Sequence, residues 1–328
     1  MKNISILIIQ YPGAMKSAIE GLCELFDMAT RLSQEQQPGL QFNVQVLDSS
    51  ELNGDELSRS DSGCCADNGF RPLVTATPQV IVLPPCLVGS FYTEEQQVLS
   101  RWLKTMHASG SLLCSVCAGA FLLAQTGLLN QRPATTHWIL AEALAARFPE
   151  VQVDDTKILI NDGDLMTAGG LMAWLDLGLE LVAQFGTPAL MRQLGKRLVV
   201  DTAPRQQRYY RCFMPPFDHG DRVILKSQHY LQNHSQNPVT VKQLASDSHL
   251  TERTFLRRFV RATGYKPKEY IQQLRISKAC EALEGSADSV EVISLNAGYD
   301  DVSAFRKVFI KITGLTPREF RGRFSAET

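Results

Sequence analysis

No stretch of this 328-residue chain approaches the roughly 18 consecutive apolar residues of a membrane-spanning helix. Met1-Lys2-Asn3 leads into a short apolar run that ends at Tyr11-Pro12-Gly13, too short for the apolar region of a secretory signal. The eight cysteines (Cys23, Cys64, Cys65, Cys86, Cys114, Cys117, Cys212 and Cys280) form no paired framework of the secreted type. His219, His229 and His234 complete no zinc pattern. These absences argue against a membrane protein, a disulfide scaffold and a metalloprotein. The expectation is a cytoplasmic protein with no metal and no cofactor. Net charge is only −1, so the total carries no information about partners.

The distribution of charge says more. From Asp218 to the end, Lys and Arg number 17 against 13 acidic residues, whereas residues 1–217 hold 16 against 21. A basic surplus in the last third is what attraction to phosphate requires. The length suits two domains. We divide the chain into residues 1–200, a linker at 201–218 rich in Pro and Arg, and residues 219–328.

The first part alternates strand-like and helix-like segments. Ile4–Ile9, Phe42–Leu47, Val80–Leu83, Leu112–Val116, Ile158–Ile160 and Leu165–Ala168 read as strands, the last two around an Asn161-Asp162-Gly163 turn. Helical patterns run over Lys16–Leu32, from a Thr93 cap to His107, and over Ala118–Gln125, Gly170–Phe185 and Pro188–Leu198. This predicts an α/β fold, a flavodoxin-like parallel sheet sandwiched by helices. Residues 49–79, rich in Ser, Asp, Gly and Pro, read as a partly ordered insertion or exposed hairpin. After the linker only helices of 8–16 residues are expected, an all-α domain.

That last domain repeats at a period of 50 residues. Phe255, Phe259, Gly264, Pro267 and Tyr270 match Phe305, Phe309, Gly314, Pro317 and Phe320. Two Phe at i and i+4 bury together on one helix face; Gly then permits a left-handed cap and Pro stops the helix. Upstream lie a short helix and a tight turn: Val241–Asp247, Ser248-His249-Leu250 and an N-cap at Thr251, then Val290–Ala297, Gly298-Tyr299 and a cap at Asp300 or Asp301. Each copy is a helix-turn-helix, and its second helix is the candidate reader of a major groove. With the Phe pairs buried, Arg253, Leu256 and Arg257 face outward in the first reader, with Arg258 and Arg261 at the flank as phosphate contacts. Val302, Ser303, Arg306 and Lys307 do so in the second.

Leu244-Ala245, Arg257-Arg258-Phe259, Gly264-x-x-Pro267, Arg275-x3-Ala279, Gly298-Tyr299-Asp300-Asp301, Ser303-x-Phe305 and Gly314-Leu315-Thr316-Pro317 resemble the AraC/XylS family of transcription regulators. The resemblance implies a linker helix over about Lys268–Leu283 and two readers in successive major grooves on one side of the duplex. Ser294 stands at an expected buried position where that family usually has Ala.

In the first domain, Ser115-Val116-Cys117-Ala118-Gly119 follows a strand and opens a helix, the setting of a nucleophile elbow. A thiol there is expected to have a lowered pKa, with His137 able to approach it. Cys114-x-x-Cys117 has redox spacing, but Cys114 is expected to point into the core. Tyr11-Pro12-Gly13, Cys117-Ala118-Gly119-Ala120-Phe121, Gly127-Leu128-Leu129 and Thr136-His137-Trp138 resemble the ThiJ/PfpI branch of the class I glutamine amidotransferase-like fold. Placed before an AraC-type tail, they resemble the GlxA group of regulators. Related enzymes carry an acid in the first helix, where this chain has Ala18; Glu20 would project about 200° away. Pro84-Pro85-Cys86 replaces a Gly-rich turn suited to an oxyanion site. Cys117 and His137 are therefore vestigial catalytic candidates, with no catalytic residue assigned. Three readings stay open: a ligand pocket lined by Cys117, His137, Glu20 and Cys86, a cysteine-dependent hydrolase or lyase with an accessory helical domain, and a merely buried Cys117.

The preferred expectation is a non-enzymatic regulator, an activator by resemblance, that binds promoter DNA as a homodimer and acts on RNA polymerase. Its effector would be a small metabolite; the resemblance implies an amino acid or quaternary amine.

Overall fold

A computed structural model describes residues 2–36, 39–53, 77–86, 88–203 and 205–325. The described chain forms two compact units, residues 1–207 and 208–328. The insertion expected over 49–79, including Cys64 and Cys65, lies largely outside the described residues. Among those described, no helix is long and apolar enough to cross a membrane.

The first unit is built on β1 (Lys2–Gln10), β2 (Leu40–Asp48), β3 (Val80–Leu83), β4 (Leu112–Val116), β7 (Leu159–Asn161) and β8 (Leu165–Ala168), in the order β2-β1-β3-β4-β8-β7. All neighbours are parallel except β7, which runs antiparallel to β8. Val80, Ile81, Val82 and Leu83 are all fully buried, which is why the central strands read as unbroken apolar runs. Pro84-Pro85 then ends β3, because proline donates no ladder hydrogen bond.

Helix α1 (Lys16–Gln36) presents Ala18, Ile19, Leu22, Leu25, Phe26 and Ala29 to the core at helical spacing. Helices α2 (Gln97–Ala108), α3 (Gly119–Gln125), α5 (Trp174–Phe185) and α6 (Pro188–Leu198) complete the covering layers, with Thr187 capping α6. The chain visits β2 on one side of β1 and β3 on the other. Ligands of open α/β sheets bind outside the strand ends at such a reversal.

One local expectation is corrected. Thr93 does not cap α2; its hydroxyl closes a turn by donating to the Ser90 carbonyl, and the helix begins at Gln97 after an uncapped Gln96. The sequence reading also passed over a two-strand parallel ribbon, β5 (Pro133–Ala134) with β6 (Gln152–Val153), and α4 (Ala141–Arg147) between them.

The second unit contains α7 (Arg222–His234), α8 (Val241–Asp247), α9 (Glu252–Thr263), α10 (Pro267–Gly285), α11 (Val290–Asn296), α12 (Val302–Thr313) and α13 (Pro317–Phe324). It has two small cores. Ile224, Leu231, Leu244, Phe255, Phe259 and Tyr270 fill the first; Ile293, Phe305, Phe309 and Phe320 fill the second. Helix α10 serves both, giving Tyr270, Ile271 and Leu274 to one and Ile276, Ala279 and Leu283 to the other.

The 50-residue repeat extends to the hydrogen bonds. Thr263 and Thr313 each donate to a Phe carbonyl four residues back and accept the amide two residues on. Gly264 and Gly314 then take φ of +76° and +80°, the left-handed cap that glycine adopts without steric cost.

Candidate nucleic-acid interface and sensor elbow

The first helix-turn-helix is α8, a turn and α9. Thr251 caps α9 by accepting the Thr254 amide, and Asp301 caps α12 by accepting the Ser303 amide. The two turns differ by one residue: α8 ends at Asp247 and α11 at Asn296, 49 apart, whereas the caps are 50 apart. His249 and Gly298 correspond, both at positive φ with matching amide bonds, so the extra residue is Asp300, just before the cap; at Gly298, with φ +87°, any Cβ would strike the Gln236 carbonyl. The close approach of Gln236 is what requires glycine there, since His249 takes the same left-handed conformation in the first turn.

On α9, Phe255 and Phe259 are fully buried, while Arg253, Leu256 and Arg257 are exposed. Arg258 departs from expectation. Its guanidinium donates to both Asp221 oxygens at 2.8 and 2.6 Å, and Asp221 itself caps α7 by accepting the Val223 and Ile224 amides. Arg258 is thus tied into the fold, welding α7 to α9, rather than held out for phosphate. The same guanidinium, ahead of the cap amides, holds the Asp221 carboxyl below the usual carboxylate range.

On α12, Ser303, Arg306 and Lys307 are exposed and Val302 is half-buried. Arg306 reaches Glu291 of α11 at 2.9 Å, with both side chains more than half exposed. Such a pair is weak, so it leaves Arg306 available to a nucleic acid. Between α11, α12 and the start of α13 lies a cavity of about 610 Å³ lined by Glu291, Arg306, Ile310, Pro317, Arg318 and Arg321, among others. Of these, Arg318 and Arg321 lie just beyond the Gly-x-x-Pro stop and are not singled out by the sequence pattern; Arg321 donates to the Asp288 carbonyl.

The two readers are held together by Arg275 on α10. It donates to the Ser235 and Asn237 carbonyls of the first lobe at 2.6 and 3.1 Å, and to the Gly298 carbonyl of the second at 2.7 Å. Its guanidinium also lies 5.4 Å from the centre of the Tyr299 ring. Ser294 is fully buried, as expected for its position.

The segment entering this unit laces both lobes as well. Tyr210 packs on Phe324, and Arg323 lies over Tyr209 and Tyr210; farther on, Phe213 sits against Tyr265 and Tyr270.

In the first unit, β4 turns into α3 through Cys117, whose φ of +55° is unusual for a residue with a side chain. This strained elbow is pinned by its amide donating to the Ala168 carbonyl and its carbonyl accepting the Thr136 hydroxyl at 2.7 Å. Gly119 allows the close approach of β3: a Cβ there would lie 2.6 Å from the Leu83 carbonyl oxygen.

The expected low thiol pKa is overturned. Cys117 is only 3% exposed, and burial pushes the thiol up to about 12 despite the amides of Ala118 and His137. Cys86, also buried, donates its S–H to the Val88 carbonyl at 3.4 Å. Tyr11 packs into the same place; its hydroxyl donates to the Pro84 carbonyl and its ring stacks on Phe91. Burial first, then Cys86 and Cys117, raise the Tyr11 hydroxyl pKa well above its ordinary value. His137 is half-buried, which lowers its pKa, and its Nδ1 accepts the Ile139 amide at 3.2 Å.

Glu20 does not join this group. It is exposed on α1 near Cys23, while Ala18 is the residue turned inward. The structure brings together Cys117, Cys86, Tyr11 and the His137 segment and leaves Glu20 outside. Cys114 is fully buried and its thiol is raised, as its inward strand position implies.

The last residue of this unit contacts the back of the elbow. Gln207, 2% exposed, donates to the Thr135 hydroxyl and to the Thr136 and Lys157 carbonyls, and accepts the Trp138 amide. Thr136 in turn holds the Cys117 carbonyl.

Residues 24–184 match the DJ-1/PfpI family and residues 244–323 match a helix-turn-helix domain. The chain is 27% identical over 259 residues to the HTH-type transcriptional regulator CdhR of Pseudomonas aeruginosa, covering 79% of this chain and 68% of that one. It is 24% identical over 222 residues to the HTH-type transcriptional regulator GlxA of Rhizobium meliloti, covering 67% and 68%. Among solved structures, a putative transcriptional regulator from Vibrio parahaemolyticus aligns with 60% of this chain and all of its own, at a TM-score of 0.48 and 19% identity. The chain therefore joins a DJ-1/PfpI-type domain to an AraC-type helix-turn-helix domain, the arrangement of a DNA-binding regulator, and the relatives it resembles are named HTH-type transcriptional regulators.

Proposed function

We propose that this regulator binds promoter DNA as a homodimer and changes its effect on transcription when a small metabolite occupies the N-terminal domain. Activation through RNA polymerase is the favoured sign, and the cytoplasm the favoured compartment. The observation that carries the reading is the pair of equally capped readers, α9 and α12, clamped by Arg275. Arg253, Leu256 and Arg257 would read one groove and Val302, Ser303, Arg306 and Lys307 the next. Arg is suited to guanine O6 and N7. Arg318, exposed in the cavity beside α13, would take backbone phosphate.

Gln207 supports a route for the signal. It grips the Thr135–Trp138 segment behind the elbow, and the residues that follow it pack on both DNA-binding lobes. A shift at the elbow would pull on the strand of chain that laces the readers.

The test is to incubate the full-length protein with sheared genomic DNA of its source, with and without cell metabolite extract, and sequence the bound fragments. The proposal expects a small set of upstream fragments whose recovery changes with extract. Recovery proportional to genome content would contradict it.

The second reading, a cysteine-dependent hydrolase or lyase, is favoured by the φ of +55° at Cys117. Against it stand the raised thiol, the absent acid at Ala18 and the ring of Tyr11. Turnover of amide or carbonyl substrates that vanishes in Cys117→Ser would restore that reading.

A further inference from the structure

We propose that Arg208 is a positioning residue for the second reader: seated over the Gly314 cap of α12, it passes the state of the N-terminal domain to that reader and not to α9. This rests on the metabolite-sensing reading above and names the residue and the reader through which sensing acts.

Gln207 and Arg208 are consecutive, the last residue of the first unit and the first of the second. Each fills the space over a glycine of its own unit. A Cβ on Gly169 would strike the Gln207 side-chain amide, and Gly169 has no positive φ that would otherwise call for glycine. A Cβ on Gly314 would strike Arg208 Nε and lie 2.7 Å from its Cζ. The guanidinium thus covers the C-terminal end of α12, where the last-turn carbonyls and the helix dipole favour a cation. Its Nε is buried and finds no hydrogen-bond partner among the described residues. A buried donor left unpaired costs free energy, so the seat is shallow, and a small displacement of Gln207 lifts the side chain off the cap.

The repeat supplies its own control. Gly264 caps α9 with φ +76° against +80° at Gly314, yet among the described residues nothing lies within 4 Å of a Cβ placed on it. One reader carries a side chain of the entry segment on its cap and the other does not. Tyr210 stays on the same lobe as Arg208: its ring packs on Phe324 and its hydroxyl accepts from Arg323 at 3.1 Å. The chain reaches the first lobe only later, at Phe213, whose ring meets Tyr265 and Tyr270 and leaves the space over Gly264 open.

The test uses the full-length protein and the bipartite duplex that it enriches from a random pool, with duplexes that keep only the half read by α9 or only the half read by α12, told apart by Arg257→Ala and Lys307→Ala. Arg208→Ala should weaken binding to the α12 half about fivefold or more and leave the α9 half within about twofold. Arg208→Lys, which keeps a charge at the helix end, should recover part of the loss. Gly314→Ala displaces the same side chain, so adding Arg208→Ala to it should change binding to the α12 half by less than about twofold, whereas adding Arg208→Ala to Gly264→Ala, strained alike at the other cap, should give the full loss. Cell metabolite extract should shift the parent protein's affinity for the α12 half and not for the α9 half, and the shift should vanish in Arg208→Ala. Equal losses in both halves, no loss in either, or Arg208 and Gly314 substitutions whose effects simply add would overturn the seat. An extract effect shared equally by both halves, or one that survives in Arg208→Ala, would overturn its part in signalling. If extract leaves the parent's binding to every duplex unchanged, the sensing reading falls, and the half-motif comparison still decides whether Arg208 positions α12.

Discussion

Replacing Arg275 by Ala should loosen the second reader from the first. The side chain makes three charge-assisted bonds to backbone carbonyls, at 2.6, 2.7 and 3.1 Å, spanning residues of both lobes. Bonds to a charged group contribute about 1.5–3 kcal/mol each when buried. The site is only part-buried and water can reach the freed carbonyls, so the whole loss should be about 2–4 kcal/mol, including the contact with the Tyr299 ring. Tryptophan fluorescence will not report it, because Trp102, Trp138 and Trp174 all lie in the first unit. Amide hydrogen exchange at Phe305 and Phe309 will. Their exchange should quicken by a factor of about 30 to several hundred, at tenfold per 1.4 kcal/mol. Binding to a duplex carrying both half-motifs should fall more than binding to one carrying a single half-motif. Arg275→Lys, with a point charge in place of the fork, should recover only part of either loss. Exchange within threefold of the parent protein in Arg275→Ala would refute the reasoning.

Three further predictions concern separate parts of the molecule. Because Arg258 depresses the Asp221 carboxyl, the folded state gains stability that is present above the unfolded-chain value near pH 4 and is lost as pH falls through the lower folded value; in Arg258→Gln, acid denaturation of the second unit, followed by hydrogen exchange, should begin at higher pH. Cys117 should resist iodoacetamide at pH 8 while Cys212, which is exposed, is modified at once, as peptide mass mapping will show; rapid labelling of Cys117 in the native protein would contradict the closed elbow. Gln207→Ala removes a buried side chain that makes four hydrogen bonds and should destabilise the first unit by about 2–4 kcal/mol in urea melts read by tryptophan. At a temperature where the variant remains folded, its DNA binding should respond less to metabolite, and an unaltered response would remove Gln207 from the signal route.

How much of this was legible in the sequence depends on the range of the interaction concerned. The buried strands showed themselves as apolar runs because both faces of Val80–Leu83 are covered. The repeat was plain because Phe pairs, left-handed Gly caps and N-terminal Pro are local requirements with fixed offsets. The short ribbon of β5 and β6 was passed over because two-residue strands leave no period to read. Thr93 misled because a capping residue type is also a turn residue, and only the bond to Ser90 decides between them.

The site followed the same division. Arg253 and Arg257 could be assigned to the outer face from the spacing of their neighbours. Arg258 could not be excluded that way, since its partner Asp221 is 37 residues distant and belongs to another helix. The raised Cys117 thiol depends on where loops place Tyr11, Cys86 and the Thr136 segment, which no local pattern encodes. The position of an elbow was readable; its solvation was not.

Two readers clamped by Arg275 are placed to enter successive major grooves. Selection of bound sequences from a random duplex pool by the full-length protein, at stated salt, tests it most directly. The account predicts a bipartite motif whose halves are centred about 10–10.5 base pairs apart. Arg257→Ala should erase preference in one half and Lys307→Ala should weaken the other. A single undivided motif unaffected by either substitution, or no enrichment at all, would contradict it.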